Sequence, residues 1–251
     1  MLKLDCPGFY LTFMPHIEYK LNKRLDKQMA LAFLDIKAGG IDFSKGIVNV
    51  HEELRGIRLK NSAAKKKMID SHFDYFYQKH NKYLHNQIKK FQTEWDELES
   101  RYFKEMTKVF KGQLFPKGKY IGYLSIIDCN PRFLDNKTFQ IFYYQPNGSV
   151  DTACHELTHF IFYDYCLKKY PTIFKKLDTE RGIFWDLAEI FNNIILSLPQ
   201  FVAVHGNKKI VAYPEHKKYI AQLGKDWLRN RDTDKWILRA FEYLSKANKD
   251  I

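Results

Sequence analysis

The chain has 251 residues, of which 45% are hydrophobic and 16% aromatic, and it carries a formal net charge of +12. This composition excludes a disordered chain, because enough apolar side chains are present to bury a sizeable core. The positive excess is spread over both halves of the chain, and its dense run is Lys65-Lys66-Lys67. A basic arm of the kind that binds nucleic acid is therefore not indicated.

The cysteines contain no Cys-x-x-Cys pair and are too few for a disulfide scaffold, which favours a reducing compartment. They are Cys6, Cys129, Cys154 and Cys166. The start Met1–Pro7 lacks the apolar stretch of a signal peptide. No run reaches the roughly 18 apolar residues that cross a bilayer. We therefore expect a cytoplasmic protein with no membrane partner.

Two helical regions are predicted in the N-terminal part of the chain. Residues 17–36 carry apolar side chains at spacings of three and four and read as an amphipathic helix ending before Gly39-Gly40. The apolar positions are Ile17, Leu21, Leu25, Met29, Ala32 and Phe33. Residues 62–109 contain no proline or glycine and predict one long helix or two helices in a hairpin.

Two strands are predicted next, because residues 120–127 and 138–144 are rich in β-branched and aromatic side chains. The turn-rich stretch 128–137 separates them, so a hairpin or small sheet is predicted. Pro146-Asn147-Gly148-Ser149 then breaks the second strand. Four helices are predicted after this break. They cover 149–169 with Ser149 or Asp151 as cap and Pro171 as stop, 183–198 ended by Pro199, 215–223, and 232–247.

The helix predicted over 149–169 contains the run His155-Glu156-Leu157-Thr158-His159. Residues four apart share one face of a helix, so both imidazoles can bind one metal ion while Glu156 reaches a water beside it. Zinc lowers the pKa of its bound water to about 7, and a neighbouring carboxylate can take the proton as the water attacks a carbonyl. We expect a metal site here, with Zn2+ as the cofactor and Glu156 as the general base.

This run resembles the active-site helix of zincin metallopeptidases. Members of the metzincin group place Gly and His three and six residues after the second His, whereas this chain has Phe162 and Tyr165 there. The gluzincin, thermolysin-like pattern implies a Glu on a later helix as third ligand, and Glu189 matches that role. The resemblance also implies a bracing carboxylate or amide four residues on, where Asn193 stands.

The apolar surroundings of Glu189 favour it as a ligand, since a solvated carboxylate is hard to place in the helix over 183–198. The alternatives for the third ligand are Asp186, Glu180, Glu215 and His216, with Asp164 off the ligand face of its helix. Such sites also need a donor for the developing oxyanion. Tyr213, His216 and Tyr219 are the candidates for that catalytic role. His51 lacks a second His at ligand spacing and is expected to begin a helix.

The expected fold class is α+β and zincin-like. Residues 1–115 form a mainly helical region packed on a catalytic region of residues 116–251. The catalytic region holds a small, mainly antiparallel sheet, whose edge strand over 138–144 lines a cleft above the motif helix. In the zincin resemblance that edge binds an extended peptide by main-chain pairing.

The expected function is zinc-dependent hydrolysis of peptide bonds, with a peptide or protein as the partner. Two alternatives remain open. One is a nucleic-acid-associated or regulatory zinc protein with little peptidase activity, favoured by the net charge and the many aromatic side chains. The other is a zinc protein that has lost catalysis, which the presence of Glu156 disfavours because a structural site needs no base.

Overall fold

The structure is a computed structural model that describes residues 15–145 and 148–247. Three of the sequence predictions lie outside these residues. They concern the missing signal peptide at Met1–Pro7, the state of Cys6, and the Pro146-Asn147 part of the predicted break. The three described cysteines, Cys129, Cys154 and Cys166, are buried free thiols.

Helices make up most of the described chain and surround two small sheets. The strands are β1 (Ile17–Leu21), β2 (Lys37–Ala38), β3 (Ile41–Asp42), β4 (Tyr120–Ser125), β5 (Arg132–Phe133) and β6 (Thr138–Phe142). The α-helices are α1 (Lys23–Phe33), α2 (Lys45–Val48), α3 (Ser62–Lys79), α4 (Asn81–Asp96), α5 (Glu99–Val109), α6 (Ser149–Lys169), α7 (Pro171–Phe174), α8 (Ile183–Leu196), α9 (Pro199–His205), α10 (Lys217–Asn230) and α11 (Thr233–Ala247). Short 3-10 helices occupy Glu52–Leu54, Ile57–Leu59 and Pro214–His216.

The prediction of a helix over 17–36 is wrong for its first residues, which form β1. Ile17 and Tyr19 are buried and alternate with more exposed polar residues. This period-two alternation is the pattern of a strand, and it prevails over the helical spacing in this segment. Asn22 separates the two elements, because its side chain accepts a hydrogen bond from the backbone of Leu25 and caps α1. The helical part of the prediction is confirmed from Lys23 to Phe33.

The segment 62–109 forms three helices, so the prediction of one or two is wrong in number. The regular helix is interrupted at His80, between α3 and α4, and again at Glu97 and Leu98, between α4 and α5. Neither break contains proline or glycine, and the sequence therefore has no breaker signal at either place. Helix α4 packs on both β1 and α6 and so ties the N-terminal region to the motif helix.

The larger sheet has the order β1-β4-β6-β5, and the expectation of a mainly antiparallel sheet is wrong. Strands β1, β4 and β6 are parallel, and only the two-residue β5 runs antiparallel to β6. The stretch 128–137 carries the chain back to the end of the sheet where β4 began, so β4 and β6 form no hairpin. Strand β1 pairs with β4 over its whole length, which means that residues 1–115 and 116–251 share one sheet.

Strand β6 does not offer the open edge expected for peptide binding. On its outer side, the backbone N–H of Gln140 donates to the carbonyl of Pro131 at 2.8 Å, and that of Phe142 donates to Oδ1 of Asn130 at 2.8 Å. All five side chains of β6 are buried. A peptide therefore cannot pair with this strand unless these bonds are first broken.

Helix α6 lies between the sheet and α8, at the centre of the core. Ring contacts mark both faces: Phe160 packs on Tyr120 of β4, and Phe162 packs on Phe191 of α8. The predicted bounds of α6 are confirmed, but neither suggested cap is used. Gly148 is the N-cap residue, and the Ser149 hydroxyl donates instead to Glu94 of α4.

Helices α8 and α11 occur close to where the sequence places them, whereas α10 runs from Lys217 to Asn230, seven residues beyond the predicted end at 223. Helix α8 ends at Leu196, shortly before Pro199, and the last two helices are α10 and α11. Within the described ranges, no single helix is long and apolar enough to cross a membrane, although α8 and α9 together, bent by 85°, meet the criteria of length and composition.

Candidate metal centre

Two histidines of α6 point at one spot on the side of the helix that faces α8. Nε2 of His155 lies 3.2 Å from Nε2 of His159, and the two rings meet edge to face. This convergence follows from their spacing, because residues four apart lie above one another on a helix. Glu156, between them in the chain, is also buried.

Glu189 of α8 completes a group of three potential ligands. Its Oε2 lies 3.3 Å from Nε2 of His155, and its Oε1 lies 3.3 Å from Nε2 of His159. The ligand atoms of the three residues all fall within 4.8 Å of one another. The structure therefore brings together the three residues that the sequence singled out, and it does so through the packing of α8 on α6.

Buried polar atoms without partners indicate that these residues fit a cation. Glu189 is only 1% exposed and its Oε2 meets His155 at 3.3 Å without hydrogen-bond geometry, while Oε2 of Glu156 has no hydrogen-bond partner among the described residues. A buried, incompletely bonded carboxylate is costly unless a positive charge compensates it. Two His and one Glu are a donor set that zinc takes in catalytic sites.

The side chains of the ligand group shift one another's pKa values. Burial opposes ionisation of Glu189, but its contacts with His159 and His155 outweigh burial and hold the pKa of this carboxyl well below its usual range. Against the effect of burial, Glu189 in turn raises the pKa of His155 to about 9, so His155 is the charged partner. Burial lowers the pKa of His159 to about 3, with the positive charge of Arg132 acting in the same direction. His159 is therefore neutral at physiological pH, the form in which imidazole binds a metal.

Glu156 has the electrostatic setting of a base that works near neutral pH. Burial raises the pKa of its carboxyl to about 7, while the positive charges of His155 and Arg132 act against that rise. A base is most effective when its pKa lies close to the working pH. Glu156 can therefore both accept and return a proton under physiological conditions.

Asn192 occupies the position beside the ligands that the sequence assigned to Asn193. The Asn192 amide donates to the backbone carbonyl of His155 at 2.8 Å and lies 3.2 Å from Nε2 of His159. The Asn193 amide instead donates to the backbone carbonyl of Glu189 at 3.0 Å, one turn earlier on its own helix. Both residues are polar within an apolar helix, so the sequence signal was present, but the spacing pointed to the wrong one.

A cavity of about 540 Å3 opens beside His155 and Glu156. Its other walls come from residues 41–50 of the N-terminal region, residues 128–130 after β4, and residues 210–213 before α10. The N-terminal wall was not expected, because nothing in the local sequence of 41–50 relates it to α6. A larger cavity of about 900 Å3 lies on the far side of Arg132 and includes neither His155 nor Glu156, so the smaller one is the candidate substrate site.

Tyr213 is the one suggested oxyanion donor that lines this cavity. Its ring packs on Phe43 and Trp185, and it lies so close to Gly39 that a Cβ there would sit 2.5 Å from Cδ1. Burial raises the pKa of the Tyr213 phenol, and the negative charges of Glu189 and Glu156 act in the same direction. The phenol therefore keeps its proton and can donate a hydrogen bond.

The other two suggested donors line a separate cavity, together with Asp186. Nε2 of His216 lies 2.8 Å from Oδ1 of Asp186. These two side chains therefore contact each other and not the ligand group. The ring of Tyr219 packs on Tyr243, and Tyr219 does not line the cavity beside Glu156. The described contacts thus do not bring His216 or Tyr219 to the ligand group.

The remaining alternatives to Glu189 as third ligand also lie elsewhere. Glu180 sits 4.0 Å from Arg132 and lines the larger cavity, while Glu215 lines the cavity of His216. Asp164 pairs with Gln113 and Lys168, as its position off the ligand face predicts.

Two other sequence features have structural explanations. His51 precedes the 3-10 helix Glu52–Leu54, as expected, and is a buried side chain whose Nε2 lies 2.8 Å from the carbonyl of Ile126. In the basic run, Lys65 pairs with Asp35 and Lys66 pairs with Asp70 at the surface of α3. These pairs are those of a solvated helix face.

Comparisons with protein-family models, with curated proteins and with solved structures find no match to this chain.

Proposed function

We propose that this protein is a zinc-dependent hydrolase of peptide bonds. The observation that carries the proposal is the convergence of His155, His159 and Glu189 from two packed helices, with Glu156 buried beside them at a cavity. A purely structural zinc site has four protein ligands and no base. Three ligands, a carboxylate base and an adjoining cavity are the parts of a catalytic site.

The chemistry assigns a role to each residue. Zinc held by His155, His159 and Glu189 would supply Lewis acidity, which makes water a better nucleophile and a carbonyl a better electrophile. Glu156 accepts a proton from the attacking water as the new C–O bond forms. The Tyr213 hydroxyl donates to the carbonyl oxygen as negative charge develops on it. Glu156 then returns the proton to the leaving amine as the C–N bond breaks.

Peptides are the favoured substrate class for two reasons. The run on α6 resembles that of gluzincin metallopeptidases, and the cavity of about 540 Å3 beside Glu156 has room for a few residues of a peptide. We place the protein in the cytoplasm, because the three described cysteines remain free and buried. A peptide or protein is its expected partner.

The experiment is a cleavage assay on a mixture of unrelated peptides, read by mass spectrometry. We expect cleavage by the purified protein, loss of cleavage after chelation, and recovery when stoichiometric zinc is returned. Zinc bound at one ion per chain without cleavage of any peptide would contradict the hydrolase proposal and favour a regulatory zinc protein.

The net charge of +12 favours one other candidate, a nucleic-acid-associated zinc protein with little peptidase activity. Binding to phosphates weakens steeply as salt rises. A mobility shift with mixed-sequence DNA or RNA that disappears between low and physiological salt, together with no peptide cleavage, would support this candidate over the first.

A further inference from the structure

A buried arginine contacts the carboxylate of Glu189 from the side away from the substrate cavity. Arg132 of β5 has a side chain that is only 8% exposed, and its Nη1 lies 3.6 Å from Oε1 of Glu189. Its Nη2 donates to the hydroxyl of Tyr163 at 3.1 Å and to the carbonyl of Thr179 at 2.7 Å. The guanidinium is thus fixed at one end by two oxygens and presents its other end to the ligand.

We propose that Arg132 is a positioning residue that holds the Glu189 carboxylate in the orientation that binds the metal. The guanidinium is held in place by Tyr163 and Thr179, so its charge favours the orientation of Glu189 that brings Oε1 toward Nη1, 3.6 Å away. With Oε1 beside Arg132, the same carboxylate has both oxygens within 3.3 Å of the two imidazoles. Arg132 thereby selects the rotamer of Glu189 that completes the ligand group.

Tyr163 extends this arrangement to the second histidine. Its ring stacks on His159 with a centroid distance of 5.9 Å and an interplanar angle of 19°, and Arg132 lies over the same ring at 5.4 Å. The Tyr163 hydroxyl, which accepts from Arg132, donates to the carbonyl of Thr179 at 2.9 Å. Arg132 and Tyr163 form one unit that contacts a ligand on each of the two helices.

Stability alone is a poor explanation for this pair. Burying an arginine and a glutamate costs about as much in lost hydration as their attraction returns, and apolar replacements are often equally stable. The arginine charge also disfavours a nearby divalent ion. We expect orientation to outweigh that repulsion, because removing the groups that hold metal ligands typically weakens metal affinity by about 10 to 100-fold.

The inference rests on the proposed zinc site, so the test begins with the parent protein. Zinc dissociation constants are measured by competition with a chromophoric chelator for the parent, Arg132→Gln, Tyr163→Phe and a control, Arg239→Gln. Arg239 is an exposed arginine that pairs with Asp226 at 3.3 Å, away from the ligand group. The rise in Tm on adding zinc is recorded for each variant as a second measure.

We expect Arg132→Gln to weaken zinc binding by about 10 to 100-fold, Tyr163→Phe to weaken it less, and Arg239→Gln to match the parent. The zinc-dependent rise in Tm should shrink in the same order. A purely structural role would lower Tm with and without zinc equally and leave the dissociation constant unchanged, which would overturn the inference.

The outcomes also separate this inference from the proposed function. A parent protein that binds no zinc overturns both, whereas parent-like affinity in Arg132→Gln overturns only the role of Arg132. Should Arg132→Gln fail to fold, Tyr163→Phe decides the question, and parent-like zinc affinity in that variant overturns the inference.

Discussion

Oε1 of Glu189 lies 3.3 Å from Nε2 of His159, and both side chains are buried where α8 packs on α6. A carboxylate removed from water in this way needs positive charge nearby. Arg132 lies 3.6 Å from the same oxygen and supplies part of that charge. A bound divalent cation would add to it on the side of the histidines, and the consequences can be measured residue by residue.

Replacing Glu156 by Gln separates metal binding from catalysis. The amide keeps the shape of the side chain but cannot accept a proton, so peptide cleavage should fall by about 100 to 10,000-fold. Zinc affinity and Tm should stay near those of the parent, because Glu156 is not one of the three ligand residues. Single-turnover cleavage assays and chelator competition give the two measurements. Cleavage at the parent rate would show that another group is the base.

Replacing Tyr213 by Phe tests the oxyanion donor. Loss of one such donor typically lowers kcat by about 100 to 1,000-fold, while zinc affinity should not change because the phenol is not a ligand. Tyr219→Phe is the matched control, since Tyr219 lines a different cavity. Equal losses of kcat in both variants, or none in Tyr213→Phe, would remove Tyr213 from the mechanism.

We expect replacement of the two adjacent asparagines of α8 to have different effects on zinc affinity. Asn192→Ala removes the amide that links α8 to the backbone carbonyl of His155 at 2.8 Å, so the two ligand helices are held together less closely and zinc affinity should fall by about 10 to 100-fold. Asn193→Ala removes an amide that bonds only a backbone carbonyl of the same helix, so affinity should stay near that of the parent. Chelator competition on both variants ranks them. The reverse ranking would restore Asn193 to the role that its spacing suggested.

Because of Asp26, we expect the free energy of unfolding to change with pH whether or not a metal is bound. This carboxylate of α1 is fully buried and accepts hydrogen bonds from four groups, the Tyr77 and Ser125 hydroxyls, the Ile126 backbone N–H and the Gln140 amide. Burial raises the pKa of Asp26 to about 6, against about 3.9 in an unfolded chain. The folded state therefore holds the proton more tightly, so its stabilising contribution is complete below about pH 4 and is lost as pH rises through about 6.

The measurement is the free energy of unfolding by urea at several pH values for the parent and for Asp26→Asn. Because the variant cannot titrate at this position, the difference between the two proteins isolates Asp26. Relative to the variant, the parent should gain about 2 kcal/mol between pH 7 and pH 4. A difference that is constant with pH, or that changes in the other direction, would show that the pKa of Asp26 is not raised.

The ligand group was predictable because its signals are local. The spacing of His155 and His159 fixes their common face, and Glu189 stands out as an acidic residue within an apolar helix. The bounds of α6 and α8 follow from the same periodicity and from the prolines after them. What the sequence could not supply was the distance between the helices, which depends on how their apolar faces pack.

The features that were missed depend on contacts between distant segments. The direction in which β4 and β6 pair is decided by the path of residues 128–137, and a strand pattern alone carries no direction. Arg132 lies inside that same turn-rich stretch, where nothing distinguishes it from a surface residue. The cavity wall from residues 41–50 comes from the region assigned to a separate helical unit. Each is a product of tertiary packing, which overrides local pattern.

The most direct test compares two acidic residues on one helix. Glu189 meets both histidines, whereas Asp186, one turn earlier, pairs with His216. Zinc content and dissociation constants should be measured for the parent, Glu189→Gln and Asp186→Asn. We expect one zinc ion per chain in the parent, marked loss of zinc in Glu189→Gln, and near-parent binding in Asp186→Asn. Retention of zinc by Glu189→Gln with its release by Asp186→Asn would contradict the ligand assignment and the metallopeptidase proposal that depends on it.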